Sequence, residues 1–256
     1  VNRRLASILA GLACGAAVVL TQSPAASRAS QRGDLTLIPY VLEADDGRTR
    51  LAAELGRLKV PENRRRPGGR SIEIAFLRLK STAASPGPPL IFLAGGPGAS
   101  GIGAARRPQL LAFFRRFTDI GDVIFLDQRG TGLSLPRLDC VQGWDLPLDR
   151  PGSREETQRI GSAQARACRE FWTSHGVDAA AYNTEENADD VDAVRQALGA
   201  ATMMLYGASY GSHLGLSVVR RHGARVHRAV LGMVEGPDHT FKLPSNEQRQ
   251  METIHR

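Results

Sequence analysis

Three short apolar runs, each closed by a glycine-bearing turn, constrain this chain more than any other feature. Leu90-Ile91-Phe92-Leu93 leads into Gly95-Gly96-Pro97-Gly98, and Val123-Ile124-Phe125-Leu126 into Asp127-Gln128-Arg129-Gly130-Thr131-Gly132. Met203-Met204-Leu205-Tyr206 leads into Gly207-Ala208-Ser209-Tyr210-Gly211. Continuous apolar runs of this length, bounded by turn residues, are strands covered on both faces. The segments between them have helical spacing. Residues 104–117 place Leu110, Leu111, Phe113, Phe114 and Phe117 on a helix. Thr184 is expected to cap a helix through Leu198, with Ala188, Val191, Val194 and Leu198 on one face and acids in its first turn. Residues 210–222 form another helix, Ala229 to Met233 a fourth strand, and residues 153–175 a polar helical excursion. Strands alternating with amphipathic helices predict an α/β domain, a mostly parallel sheet with helices on both faces. Ahead of it, Leu51 to Val60 and Ser71 to Leu79 alternate apolar and polar residues around the turn chemistry of Pro61 to Gly69, which predicts an antiparallel hairpin.

Composition narrows the partners. With 42% hydrophobic and 23% charged residues the chain is of ordinary globular make-up. Its net charge of +7 comes almost wholly from arginine, since Lys59, Lys80 and Lys242 are its lysines. Arg64-Arg65-Arg66, Arg106-Arg107 and Arg220-Arg221 are scattered, and aromatics are 5%, so no nucleic-acid surface is expected. Residues 1–29 read as a signal peptide. Arg3 and Arg4 precede a 16-residue small and apolar run, Leu5 to Leu20, and a small-residue tail with cleavage options at Ser23-Pro24-Ala25 or Ser27-Arg28-Ala29. That run falls short of the roughly 20 residues that cross a bilayer, so no stable membrane span is expected. Cys14 leaves lipid anchoring as a second option, and Val1 reads as an alternative start codon translated literally. Export leaves Cys140 and Cys168, 28 residues apart, in an oxidising compartment that favours their union over two separate buried thiols.

In open α/β sheets, functional groups gather at the carboxyl ends of the strands, where all three glycine-bearing turns lie. Gly207-Ala208-Ser209-Tyr210-Gly211 between a strand and a helix has the context of a nucleophile elbow. Glycines at 207 and 211 are needed because side chains there would collide with the turn. Ser209 then presents its hydroxyl at a helix amino end; the competing reading is a serine that merely caps the helix. Acyl transfer also needs backbone N–H donors for the oxyanion, assigned to Tyr210 and to Gly96 in the Gly95-Gly96-Pro97-Gly98 loop, where Pro97 has no donor to give. A phosphate loop is excluded, because the terminal Gly-Lys-Ser/Thr is lacking and the dinucleotide glycine spacing is reversed.

These three motifs, in this order and approximate spacing, resemble the prolyl aminopeptidase and tripeptidyl aminopeptidase family of α/β-hydrolases over roughly residues 50–240. The resemblance implies an α/β-hydrolase fold in residues 34–256, with Ser209 as nucleophile and Gly96 and Tyr210 as the oxyanion hole. It makes Gly95, Pro97, Gly98, Gly207, Gly211, Asp127 and Arg129 scaffold. Exported members have a cysteine pair flanking the helical excursion, which supports joining Cys140 to Cys168. The implied activity is amino-terminal peptide hydrolysis through an acyl-enzyme, with a small peptide or ester as partner and neither metal, cofactor nor partner chain. An exported esterase or lipase is the alternative.

The triad order in such enzymes is Ser, Asp/Glu, His. The sequence runs 47 residues past Ser209, so the acid, the histidine, the last strands and the cap are expected outside it. His213 lies in the helix facing away from Ser209. His222 and His227 border a basic turn, and in Asp238-His239 adjacent side chains point apart. His175 and His255 have no motif around them. The sequence thus describes the nucleophile half of a hydrolase: the amino-terminal part of a longer product, a binding fragment without turnover, or a chain completed by a partner, in that order of preference. The open sheet edge predicts poor solubility.

Overall fold

A computed structural model describes residues 30–32, 34–140 and 153–237. The leader with Cys14, and the positions of Asp238, His239 and His255, lie outside the described residues. In chain order the elements are β1 (Ser30–Arg32), β2 (Leu35–Glu43), β3 (Arg50–Pro61), β4 (Ser71–Leu79), β5 (Gly87–Leu93), α1 (Gly101–Ala105), α2 (Pro108–Arg115) and β6 (Gly121–Leu126). They continue with α3 (Arg154–Ser174), α4 (Thr184–Ala197), β7 (Met203–Ala208), α5 (Tyr210–His222) and β8 (Val226–Gly232). The strands form one sheet in the order β1-β2-β3-β4-β6-β5-β7-β8. Pairings from β1 through β4 to β6 are antiparallel, and those joining β6, β5, β7 and β8 are parallel. Consequently β1, β3, β5, β6, β7 and β8 all point one way and only β2 and β4 oppose them, the mostly parallel sheet expected.

The apolar runs are continuous because both faces are covered. In β5, β6 and β7, Ile91, Leu93, Ile124, Leu126 and Leu205 face Ala188, Val191 and Val194 of α4 and Leu214 and Val218 of α5. Their neighbours Leu90, Phe92, Val123 and Phe125 face Ile102, Leu111 and Phe114 of α1 and α2. The two-residue period of a strand thus feeds two separate cores.

The hairpin, the four expected strands and the expected helices are present, with corrections. Residues 104–117 are not one helix. Arg107 is extended ahead of Pro108, which opens α2, because the residue before a proline is driven out of the helical region. The cap of α4 is Asn183, whose side chain accepts from Glu186 N, and Thr184 is the first helical residue. β8 spans Val226–Gly232, beginning earlier than expected and ending before Met233, whose φ is 45°. Strands β1 and β2 went unread. Pro39 breaks the strand signature of Leu35–Glu43, yet β1 pairs only as far as Leu37, so Pro39 lies on the open edge where a missing donor is tolerated.

α3 buries none of its residues and is held from its ends. Ser153 accepts from Glu156 N at the start, Cys168 is bonded to Cys140, and the Trp172 indole N–H donates to Asp139 O at 3.1 Å. Among the described residues no helix is long and apolar enough to cross a membrane.

Candidate active site

Strand order reverses between β6 and β7, on either side of β5. Chain growth moves from β5 outward to β6, then crosses back to lay β7 on the other flank. Such a reversal opens a crevice at the carboxyl ends of the strands. The turns after β5 and β7 meet there, because Leu93 pairs with Gly207.

At the end of β7 the chain turns directly into α5 through Ser209, with φ 56° and ψ −131°. A non-glycine residue rarely takes a positive φ, and persists in one only where its surroundings hold it. Those surroundings are close-packed backbone. A Cβ at 207 would lie 2.2 Å from Gly211 O, and one at 211 would lie 2.1 Å from Leu93 O. This is the collision the sequence pattern implied, with β5 as an additional obstacle. The amide of Ser209 donates to Gly232 O at 3.2 Å, and Ser209 O accepts from Ser212 N at 2.8 Å and from Ser212 Oγ at 2.6 Å. The Ser209 hydroxyl makes no capping bond to α5. It donates instead to Glu235 Oε1 at 2.9 Å, so the reading of Ser209 as a mere helix cap falls.

The Gly95-Gly96-Pro97-Gly98 loop lies against this elbow. A Cβ on Gly95 would be 3.1 Å from Ala208 O and 3.8 Å from Ser209 Oγ. Gly96 has φ 109°, open to glycine and strained for other residues, and even its space is taken by Gly98 N at 2.9 Å. Tyr210 follows Ser209 as the first residue of α5. Its hydroxyl pairs with Thr184 Oγ1 at 3.0 Å and its ring stacks on His213 at 5.6 Å between centroids. Burial, with Glu235 adding to it, pushes the Tyr210 phenol up.

The loop after β6 braces both. Asp127, fully buried, accepts from Ser100 Oγ at 2.7 Å, Ile102 N at 2.9 Å and Leu133 N at 2.7 Å, so one carboxylate ties the loop after β5 to its own. Gln128 Nε2 donates to Ala94 O at 2.9 Å, next to the glycine loop. The Arg129 side chain is also fully buried, and its polar partners do not include Ser209. It forks onto Asp190 with two bonds of 2.8 Å and donates to Glu62 O at 2.6 Å and Ala181 O at 2.7 Å. Arg64 reaches the other side of Asp190 at 2.7 Å.

Glu235 is the residue sequence reasoning missed. It sits in the turn after β8, the strand beside the nucleophile's own, where an acid at a strand's carboxyl end was the signal available. None of the described histidines is hydrogen-bonded to Ser209. His213 Nδ1 meets Gly236 O at 3.2 Å, His175 meets Phe171 O and His222 meets Asp189. No cluster of His, Cys, Asp and Glu able to hold a metal occurs among the described residues.

A strand-to-helix elbow, a glycine loop on the adjacent parallel strand and helices on both faces define a class. Residues 88–253 match the family described as alpha/beta hydrolase fold, and the chain belongs to it. Within that family it is similar to the "Serine protease Hip1" of Mycobacterium tuberculosis, 30% identical over 193 residues, 72% of this chain and 36% of that one. It is similar too to the "Tripeptidyl aminopeptidase" of Streptomyces lividans, 29% identical over 194 residues, again 72% and 36%. The "Proline iminopeptidase" of Neisseria meningitidis is 30% identical over 148 residues, 57% of this chain and 32% of that one. The chain therefore spans about a third of the length of these curated relatives.

Proposed function

We propose that this chain carries the nucleophile and oxyanion elements of an exported serine peptidase that works from peptide amino termini through an acyl-enzyme on Ser209. The observation that carries the reading is the elbow itself. Ser209 is held at φ 56° with its hydroxyl off the helix and beside the glycine loop of the neighbouring strand. In this reading the hydroxyl attacks the acyl carbon, and the N–H groups of Gly96 and Tyr210 receive the oxyanion. Gly95, Pro97, Gly98, Gly207 and Gly211 shape the two turns. Asp127 and Arg129 are scaffold, since their polar atoms are spent on loops and on α4.

Peptide rather than ester chemistry is supported by the curated relatives, named as a protease and as aminopeptidases. Export is supported by the Cys140–Cys168 disulfide, a bond that persists in oxidising compartments. A fluorophosphonate probe tests the nucleophile: it labels the wild-type chain and leaves Ser209→Ala unlabelled. Equal labelling of the two overturns the assignment. Substrate class is read by comparing peptides with free and blocked amino termini against simple acyl esters. Turnover confined to esters would make the protein an esterase on the same site.

A further inference from the structure

We propose that Gln128 is a positioning residue, whose side-chain amide sets where the Gly96 N–H lies relative to Ser209; the inference rests on Ser209 being the nucleophile and Gly96 an oxyanion donor. The first observation is where β5 stops. Leu93 is its last paired residue on both sides, opposite Leu126 of β6 and Gly207 of β7. Ala94 comes next, 2% exposed and one step beyond both ladders. A carbonyl buried there needs a donor from outside the sheet. Gln128, itself 3% exposed, supplies one through Nε2 at 2.9 Å.

The second observation is a grip at both ends of the glycine loop. Gln128 holds its entry at Ala94 O, and the neighbouring Asp127 holds its exit through Ser100 Oγ at 2.7 Å and Ile102 N at 2.9 Å. Between these points stand Gly95, Gly96 and Gly98, the residue type that loses most freedom on being ordered. The grip is firmly mounted. Asp127 N donates to Ala75 O at 3.0 Å, Ser134 Oγ donates to Asp127 O at 2.7 Å, and Thr131 N donates to Gln128 O at 3.0 Å.

The third is how little lies between the held atom and the donor. The peptide unit joining Ala94 and Gly95 is planar, so fixing Ala94 O also fixes the Gly95 amide and Cα. The φ and ψ of Gly95 alone then separate that plane from the one carrying the Gly96 N–H. The second plane is closed in turn by Ala99 N, which donates to Gly95 O at 3.4 Å. On its other side the held carbonyl borders the elbow, since a Cβ at 211 would lie 3.3 Å from Ala94 O. Gln128 thus presses the start of the glycine loop toward the turn that carries Ser209. Arg129, the next residue, binds Asp190, Glu62 O and Ala181 O instead, so adjacent side chains of one loop have different tasks.

The test compares the wild-type chain, Gln128→Met and Gln128→Glu by hydrogen exchange read segment by segment, with thermal melting and fluorophosphonate labelling alongside. Methionine keeps the length of the side chain and removes the donor. One hydrogen bond corresponds to about fivefold in a local opening equilibrium, so amides of residues 95–99 in Gln128→Met should exchange at least about fivefold faster, measured against β7 of the same molecule. Glutamate offers a donor only while its carboxyl is protonated, a state that burial favours, so at about pH 5 Gln128→Glu should exchange there like wild type. Packing alone would not make the two variants differ in this way. A displaced oxyanion donor should slow labelling of Gln128→Met at least about tenfold per folded molecule. Exchange at 95–99 within about twofold of wild type in folded Gln128→Met, or raised equally in β5, β6 and β7, overturns the proposal. So does Gln128→Glu behaving as Gln128→Met at about pH 5, or labelling of Gln128→Met within about twofold of wild type. A folded wild-type chain that does not label at all overturns the assignment of Ser209 itself, while exchange, which needs no reaction, still decides whether Gln128 holds the loop.

Discussion

Replacing Arg129 by methionine separates scaffold from chemistry. The side chain is fully buried and makes a forked pair with Asp190, itself 1% exposed, together with bonds to Glu62 O and Ala181 O. Methionine fills much of the same volume, so the loss is mainly electrostatic. Breaking a buried pair by removing one partner costs about 3–5 kcal/mol. The lower end applies, because Arg64 remains 2.7 Å from Asp190 and keeps its charge compensated. Two carbonyls losing their donor add at least about 1 kcal/mol each. The sum is about 5 kcal/mol. At roughly 2–4 °C per kcal/mol for a domain of this size, Tm should fall by about 10–20 °C. The assay is a thermal melt followed by fluorophosphonate labelling of the variant well below its own Tm. Per folded molecule the labelling rate should match wild type within about twofold, since Arg129 does not contact Ser209. A fall in Tm under about 4 °C would show the network to be weak. Labelling abolished in the folded variant would refute the separation of this side chain from the reaction.

Gly211→Ala should abolish labelling and destabilise the chain by more than about 2 kcal/mol in urea unfolding, because its Cβ would sit 2.1 Å from Leu93 O in a strand that cannot retreat. Reducing the Cys140–Cys168 bond frees a loop of 28 residues and should cost about 3–4 kcal/mol, read as a lower Tm in dithiothreitol that Cys140→Ser/Cys168→Ser reproduces. Burial works to lift the Asp189 carboxyl, but hydrogen bonds from Arg221 and His222 outweigh it and hold it below its ordinary range. A depressed folded-state value means stability that is present above the unfolded value of about 3.9 and lost as pH falls through the folded one. Asp189→Asn should therefore flatten the loss of Tm between about pH 4 and 2, and an unchanged slope would contradict that account.

The parallel half of the sheet was readable because its signals are local. Runs such as Val123 to Leu126 need only hydrophobicity and a following turn, and the elbow needs only small residues around Ser209. What escaped depended on neighbours far along the chain. Pro39 argues against a strand until one knows that β1 stops at Leu37 and leaves an open edge. The break before Pro108 is a local signal that the apolar spacing of residues 104–117 masks. Glu235 has an ordinary sequence setting, and it becomes notable only when β8 is laid beside β7 and Ser212 draws its amide toward the elbow.

The pairing of Leu93 with Gly207 carries one more implication. Hydroxyl and glycine loop belong to distant parts of the sequence, yet their separation is set by a single step between hydrogen-bonded strands, about 4.8 Å. Within the stretch joining them, α3, with none of its residues buried, does not enter that measurement. That helix is accordingly a part of the molecule where evolution, or an engineer, can lengthen, shorten or re-surface the chain while the reacting geometry stays where the sheet puts it.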